Sequence, residues 1–391
     1  MGTFFLIIIY ITFISLGLPD SLLGSAWPIM HTDLGVPLSG AGLVSMIITA
    51  GTIVSSLLSN KVIKKFGTGK VTFVSVAMTA FALLGFSIAP SFIWLCILAI
   101  PLGLGAGSVD SALNNFVALH YKAQHMSWLH CFWGIGATSG PIIMSLFIAK
   151  NNNWSKGYLS ISIIQFVVVG ILLFTLPMWK KFKNENTTEV VEDINKLEKV
   201  NIFKLPGSKF VLISFFCYSV TEATVGLWGS SYLVNYKSIS PDIAARWLAL
   251  FYGGITIGRL ISGFVAMKLK SNVLIRIGQS ICLVGAITLI LPLPTYFSMI
   301  GLILIGLGLA PIYPAMLHET PNRFGKNVSG ALMGVQMAFA YTGSTIMPPI
   351  LGLIASKVGI VIFPIFILIF IVTMLICSEK TNIFMKEKSI I

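Results

Sequence analysis

Charged residues are scarce in this chain: only 10% of its 391 residues are Asp, Glu, Lys or Arg, and 56% are hydrophobic. Soluble domains carry about 25% charged residues, so this scarcity excludes a soluble protein of ordinary composition. Apolar runs recur from end to end, and about 20 apolar residues are enough for a helix to cross a bilayer. Because no water reaches the backbone there, each run must be helical. The sequence therefore predicts an all-α membrane protein.

Signals for a metal centre, a disulfide framework or a nucleotide site are also missing. The five cysteines are spread over apolar runs without CxxC spacing, and the chain has neither an HExxH sequence nor a phosphate-binding glycine loop. Buried, unpaired cysteines are the better interpretation. The first apolar run lacks a basic n-region and contains Pro19 and Asp20, which indicates a retained helix rather than a signal peptide. We expect no cofactor, and a proton gradient as the energy source.

The basic residues between the apolar runs predict how the chain is oriented. With the N-terminus in the cytoplasm, the basic loop after the second run and the long basic middle loop both face inward, as the positive-inside rule requires. Both termini are then cytoplasmic, and the net charge of +13 needs no nucleic-acid partner. The twelve predicted spans are 4–31, 38–59, 71–89, 92–118, 127–149, 157–179, 209–234, 244–267, 272–292, 295–317, 327–354 and 358–377.

The two halves of the chain repeat each other at a nearly constant offset. The matched pairs are Gly103 with Gly306, Gly105 with Gly308, Gly140 with Gly343, Asp20 with Glu222, and Gly24 with Gly226. A shared offset predicts two pseudo-symmetric six-helix bundles, at 1–179 and 209–391, joined by a cytoplasmic linker at 180–208. Within the linker, Val190, Ile194 and Leu197 have the spacing of a short amphipathic helix on the membrane face, and a plain solvated linker is an equal alternative.

This organisation resembles the major facilitator superfamily over essentially the whole chain. Residues 105–114 (GAGSVDSALN) resemble the fourth-span motif of the fucose permease-like sugar/proton symporters, where an acidic residue and a following Asn occupy the places of Asp110 and Asn114. Residues 222–228 (EATVGLW) and 258–263 (GRLISG) resemble the seventh and eighth spans of that branch. The chain departs from it in the fifth span, where His130 and Trp133 replace polar amides. The resemblance implies a transporter that works by alternating access.

Three carboxylates, Asp20, Asp110 and Glu222, lie within these apolar spans. A charge near the centre of a membrane helix costs about 2.5–3.5 kcal/mol on insertion scales, so each is a functional candidate. A carboxylate in a low-dielectric cavity can take up a proton near neutral pH. If substrate binding requires one protonation state, proton and substrate travel together. We therefore predict that all three residues take part in proton coupling.

The fourth span is the most informative helix, because Asp110 and Asn114 share one face with Gly103 and Gly107. We expect this face to line a cavity in which Asp110 binds a proton, a substrate hydroxyl or both in turn, with Asn114 as a substrate contact. The alternative is that Asp110 forms a structural hydrogen bond to a neighbouring helix.

Other polar and aromatic residues are candidate substrate contacts. In the first span, Trp27 shares a face with Asp20. Trp27 can therefore stack on a sugar ring while Asp20 accepts hydrogen bonds from the hydroxyls of that sugar. The alternative for Asp20 is a solvated charge in the vestibule of the transporter. The remaining substrate-binding candidates are His130, Trp133, Glu222, Trp228 and Gln336. The alternative for His130 is a histidine of the protein core, and for Trp133 and Trp228 it is an aromatic side chain that packs against neighbouring helices. The alternative for Gln336 is an amide that bridges two helices.

Two basic residues are expected to have structural roles rather than to contact the substrate. Arg259 lies near the inner end of its helix, where we expect its side chain to snorkel to the membrane surface. Arg323 and Glu319 are expected to form an ion pair at the inner surface.

Together these patterns predict a monomeric, non-enzymatic symporter in a bacterial cell membrane, carrying a proton and a small polar solute, best described as a hexose-like sugar. An efflux antiporter remains open, because 136–141 (GATSGP) partly matches a fifth-span motif of drug/proton antiporters. An uncoupled sugar uniporter and a membrane sensor or scaffold are further alternatives. The lipid bilayer and the solute are the only partners expected.

Overall fold

A computed structural model describes residues 2–121, 123–151, 153–179 and 202–388. These residues are almost entirely helical, without a strand among them. The helices are α1 (Gly2–Asp20), α2 (Leu22–Asp33), α3 (Gly40–Phe66), α4 (Thr68–Ser87), α5 (Phe92–His120), α6 (Ala123–Asn151), α7 (Trp154–Trp179), α8 (Ser208–Asn235), α9 (Pro241–Val265), α10 (Ser271–Ile290), α11 (Tyr296–Phe324), α12 (Lys326–Val358) and α13 (Phe363–Lys388). The predicted amphipathic segment around Val190 lies outside the described residues.

Within the described ranges, twelve spans are long and apolar enough to cross a membrane, which confirms the predicted fold class. The first span, Phe4–Asp33, is not one helix. It is interrupted at Ser21, where α1 ends and α2 begins. The cause is Pro19 in the last turn of α1, because proline has no amide hydrogen to donate and its ring crowds the preceding turn. The interruption places Asp20 at a helix end rather than within a continuous helix.

The helix packing is duplicated between the two halves. In the first half α3 packs against α5, α4 packs against α5 and α7, and α1 packs against α6. In the second half the corresponding partners are α9 with α11, α10 with α11 and α13, and α8 with α12. A Cβ on Gly103 would overlap the carbonyl oxygen of Ile48, and a Cβ on Gly306 would overlap that of Phe251. The repeated glycines therefore permit the same close helix approach twice.

The two halves contact each other mainly through α2 with α8, α3 with α12, and α6 with α9. The repeat partners Gly24 and Gly226 meet directly, because a Cβ on Gly24 would overlap the Gly226 carbonyl oxygen. Near the start of α3, Gly42 faces the backbone of Pro349 with no space for a side chain. The contacts at Gly24 and Gly42 close the far end of the bundle, which we define as the end where α2 ends and α3 begins.

The opposite end, where α1 begins and α13 ends, is organised differently. Here α1 packs against α5, α6 and α7 of its own half. A hydrophobic core that includes Phe5, Val117 and Trp179 is built entirely from the first half, whereas the larger core that contains Trp27 and Trp228 draws on both halves. Among the described residues, the halves therefore share a hydrophobic core toward the far end, while the terminal end of the first half has a core of its own.

Candidate functional site

A central cavity of about 460 Å³ lies between the two halves. Small-molecule sites have volumes of about 300–1,000 Å³, so the cavity is large enough for a small solute. Most of its wall surface is apolar, and its hydroxyl and amide groups come from Ser15, Ser45, Thr49, Thr52, Thr79, Gln165, Ser219 and Ser344. Its charged and basic members are Asp20, Asp110, His130, Glu222 and Arg259. The cavity therefore gathers all three carboxylates that the sequence singled out.

Asp20 and Trp133 form a hydrogen-bonded pair on the wall of the first half. The Trp133 indole N–H donates to Asp20 Oδ2 at 2.7 Å, and the Asp20 side chain is exposed to the cavity. Gly17 makes the pair possible, because a Cβ there would overlap the Trp133 carbonyl oxygen and separate α1 from α6. The position of Asp20 thus depends on both the helix interruption at Ser21 and the close packing at Gly17.

Glu222 and Arg259 form an ion pair on the wall of the second half, with Arg259 Nη2 and Glu222 Oε1 3.6 Å apart. The Arg259 guanidinium also lies over the Trp133 ring, 5.3 Å from its centre. The prediction that Arg259 snorkels to the membrane surface is therefore wrong. A carboxylate and an aromatic face inside the cavity stabilise the guanidinium there. Trp133 consequently contacts a charged residue from each half.

Asp110 lies on the cavity wall, and Asn114 donates its side-chain N–H to Asp110 Oδ1 at 2.9 Å. The rest of the predicted face is different: a Cβ on Gly103 or Gly107 would overlap backbone carbonyls of α3. The expectation that these glycines line the cavity is wrong, because they serve the close packing of α5 on α3. Asn114 lies outside the cavity wall and supports Asp110 instead.

The two tryptophans that were expected to face a substrate are structural. Trp27 is fully buried and donates its indole N–H to the Leu38 carbonyl at 2.7 Å. Trp228 is also fully buried and donates to the Pro348 carbonyl at 2.8 Å. Neither lines the cavity, so the expectation that they contact a substrate is wrong for this conformation. Each tryptophan satisfies its polar N–H and fills space at the closed far end.

Gln336 is likewise away from the cavity. Its amide is fully buried between α11 and α12, where it donates to Thr320 Oγ1 at 3.0 Å. The alternative interpretation, an amide that bridges helices, describes it correctly. His130 does lie on the cavity wall, with its ring edge-on to Phe13 at 6.2 Å between ring centres.

The predicted ion pair of Glu319 with Arg323 is confirmed, with Arg323 Nε and Glu319 Oε2 3.4 Å apart. Arg323 Nη2 also donates to Asn382 Oδ1 at 2.9 Å. These contacts tie α11 to α13, outside the cavity wall.

Several cavity residues were not singled out as site residues from the sequence. Tyr218, Tyr252, Tyr313 and Tyr341 line the wall of the second half. The Gln165 amide, also on the wall, donates to the Ser15 carbonyl oxygen. The sequence could have identified Gln165 as a site residue because it is a polar residue within an apolar span, and Arg259 because it is a charged residue within such a span. The tyrosines gave no such signal, because tyrosine is equally common in cores and at membrane interfaces.

A family model described as "Major Facilitator Superfamily" matches residues 9–348. The chain belongs to this superfamily. It is 26% identical over 314 residues to the "Glucose/mannose transporter GlcP" of Bacillus subtilis, covering 79% of this chain and 77% of that protein. It is 22% identical over 372 residues to the "Hexuronate transporter" of the same organism, covering 88% of this chain and 85% of that protein.

The fold is also shared with solved structures. The D-xylose-proton symporter aligns with a TM-score of 0.77 over 97% of each chain, at 14% sequence identity. At that identity the likeness concerns the fold alone. Within the described residues, no group of three or more His, Cys, Asp or Glu side chains is arranged to hold a metal ion.

Proposed function

We propose that this transporter carries a small sugar together with protons, by alternating access of the central cavity to the two sides of the membrane. The observation that carries the proposal is the cavity wall itself, where Asp20, Asp110 and Glu222 face a common space lined by hydroxyl groups. Carboxylates accept hydrogen bonds from the hydroxyls of a sugar, and aromatic rings such as Trp133 pack against its C–H face. The similarity to a protein described as a glucose/mannose transporter supports the same substrate class.

The carboxylates also supply the means of coupling. Asp20, Asp110 and Glu222 lie on the wall of one cavity, so closing that cavity while all three are ionised would be costly. Protonation removes charge and lowers the cost of closure. If the substrate binds well only to one protonation state, neither partner crosses alone, which is symport.

The cycle also needs a bundle that closes one end at a time. The contact of Gly24 with Gly226 closes the far end in this conformation, and we infer that the cavity opens at the terminal end, where the first half has a hydrophobic core of its own. Separating α2 from α8 and bringing the terminal ends of the two halves together would expose the same cavity to the other side. We place the protein in a bacterial cell membrane as a monomer, with the terminal end in the cytoplasm, as the basic loops favour.

Purified protein in liposomes tests the proposal. Labelled glucose is supplied outside and an inward proton gradient is imposed. We expect accumulation above the external concentration, which is lost when an ionophore collapses the gradient. Equilibration that ignores the gradient would instead indicate a uniporter, and gradient-driven extrusion of a hydrophobic dye without sugar uptake would indicate an efflux antiporter.

A further inference from the structure

We propose that this cavity selects uncharged sugars and rejects the corresponding sugar acids, because acidic side chains line it and Glu222 pairs with Arg259. This inference rests on the proposed function, since it defines the substrate class of the same cavity. It adds a specificity-determining role for the pair formed by Arg259 and Glu222.

The charges on the described cavity wall are unequal in number. Asp20, Asp110 and Glu222 are acidic, while Arg259 is the only Lys or Arg side chain. The pair of Glu222 and Arg259 is neutral as a unit, which leaves two carboxylates that carry negative charge whenever no proton is bound. An anionic solute would therefore meet like charge when it enters, and like-charge juxtaposition costs several kcal/mol.

Arg259 is also poorly available to a new anion. Arginine recognises a carboxylate best by two parallel hydrogen bonds from its planar fork. Here Arg259 Nη2 lies 3.6 Å from Glu222 Oε1, and one face of the guanidinium lies over Trp133, 5.3 Å from the ring centre. A sugar acid bound to this guanidinium would compete with Glu222 for its charge, in a cavity that already holds two further carboxylates.

An uncharged sugar meets complementary groups instead. Asp20 and Asp110 accept hydrogen bonds from the hydroxyls of such a sugar, and the sugar brings no negative charge to oppose them. A site whose polar groups are satisfied by one substrate and opposed by another discriminates through both effects. The wall thus favours the neutral member of any pair of sugars that differ only by oxidation of a CH₂OH group to a carboxylate.

Matched sugar pairs test this inference in the purified full chain. Isothermal titration at pH 7 compares glucose with glucuronate and galactose with galacturonate. We expect the neutral member of the bound pair to bind at least about tenfold more tightly, given the cost of like charges. Equal or tighter binding of the acid would overturn the inference and leave the proposed sugar transport intact. Absence of binding by any member would overturn the proposed substrate class and this inference together.

A substitution at Glu222 tests whether the ion pair with Arg259 is responsible for the selectivity. Glu222→Gln removes one negative charge and releases Arg259, so the ratio of neutral to acid affinity should fall by about fivefold or more. Glu319→Gln is the matched control, because Glu319 pairs with Arg323 at 3.4 Å outside the cavity wall. Its ratio should equal that of the unmodified protein. If both variants keep that ratio, the role assigned to the pair of Arg259 and Glu222 is overturned.

Discussion

Trp133 connects charged groups that belong to different halves of the molecule. Its indole N–H donates to Asp20 in the first half, and its ring lies under the guanidinium of Arg259 in the second. Arg259 in turn pairs with Glu222. The repeat partners Asp20 and Glu222 are therefore linked through Trp133 and Arg259.

Replacing Trp133 with Phe keeps an aromatic face for Arg259 and removes the N–H that holds Asp20. A hydrogen bond to a charged group contributes about 1.5–3 kcal/mol, so we expect sugar affinity to fall by about tenfold or more. Titration of the purified variant with the transported sugar measures this. Trp128→Phe is the control, because Trp128 is an exposed residue of the same helix and lies outside the cavity wall. Equal affinity of the two variants would contradict the positioning of Asp20 by Trp133.

Asp110→Asn separates coupling from translocation. The variant keeps the shape of the side chain and its contact with Asn114, and it loses the ionisable group. We expect uphill uptake into liposomes to disappear while exchange of labelled for unlabelled sugar continues. Asp33→Asn is the control, because Asp33 accepts a hydrogen bond from Trp154 and is not on the cavity wall. Accumulation by Asp110→Asn at the level of the unmodified protein would exclude Asp110 from coupling.

At the scale of the helices, the interruption of the first span and the glycine contact next to it determine how the halves close. Because α1 ends at Asp20, α2 is a separate helix, and it packs against α8 of the other half. The contact has no space for a side chain at Gly24. The same element thus positions a cavity carboxylate and closes the far end.

Gly24→Ala should disfavour the conformation in which the far end is closed. Overpacking costs about 1–3 kcal/mol, which corresponds to a shift of roughly 5- to 150-fold between the two conformations. Spin labels at the far ends of α2 and α8 should report longer distances than in the unmodified protein. The control is Gly170→Ala, where an added Cβ has no atom within 4 Å. Unchanged distances in Gly24→Ala would show that the contact does not limit closure.

For the whole molecule, the charge of the loops predicts orientation, because positively charged loops are retained on the cytoplasmic side. The prediction is tested with single cysteines in a chain whose five native cysteines are replaced by Ala. Asn235→Cys, at the far end, should react with an impermeant maleimide in intact cells. Lys268→Cys, at the terminal end, should react only after permeabilisation. The reverse pattern would place the termini outside and contradict the expected orientation.

The sequence by itself determined the twelve spans, the duplication and the presence of Asp20, Asp110 and Glu222 in apolar surroundings. These follow from the length of apolar runs and from the cost of placing charge in hydrocarbon, and neither depends on how the helices meet. The repeat also predicted that Asp20 and Glu222 face a shared space, and the structure places both on one cavity wall.

Only the tertiary structure decided which polar and aromatic side chains face that cavity. In a membrane bundle both the lipid-facing and the core-facing surfaces are apolar, so periodicity does not show how each helix is rotated. That is why Trp27 and Gln336 were expected on the cavity wall and lie buried elsewhere, while Arg259 was expected at the surface and lies on that wall. A helix interruption and a few glycine contacts determine those rotations, because they set which backbones approach closely.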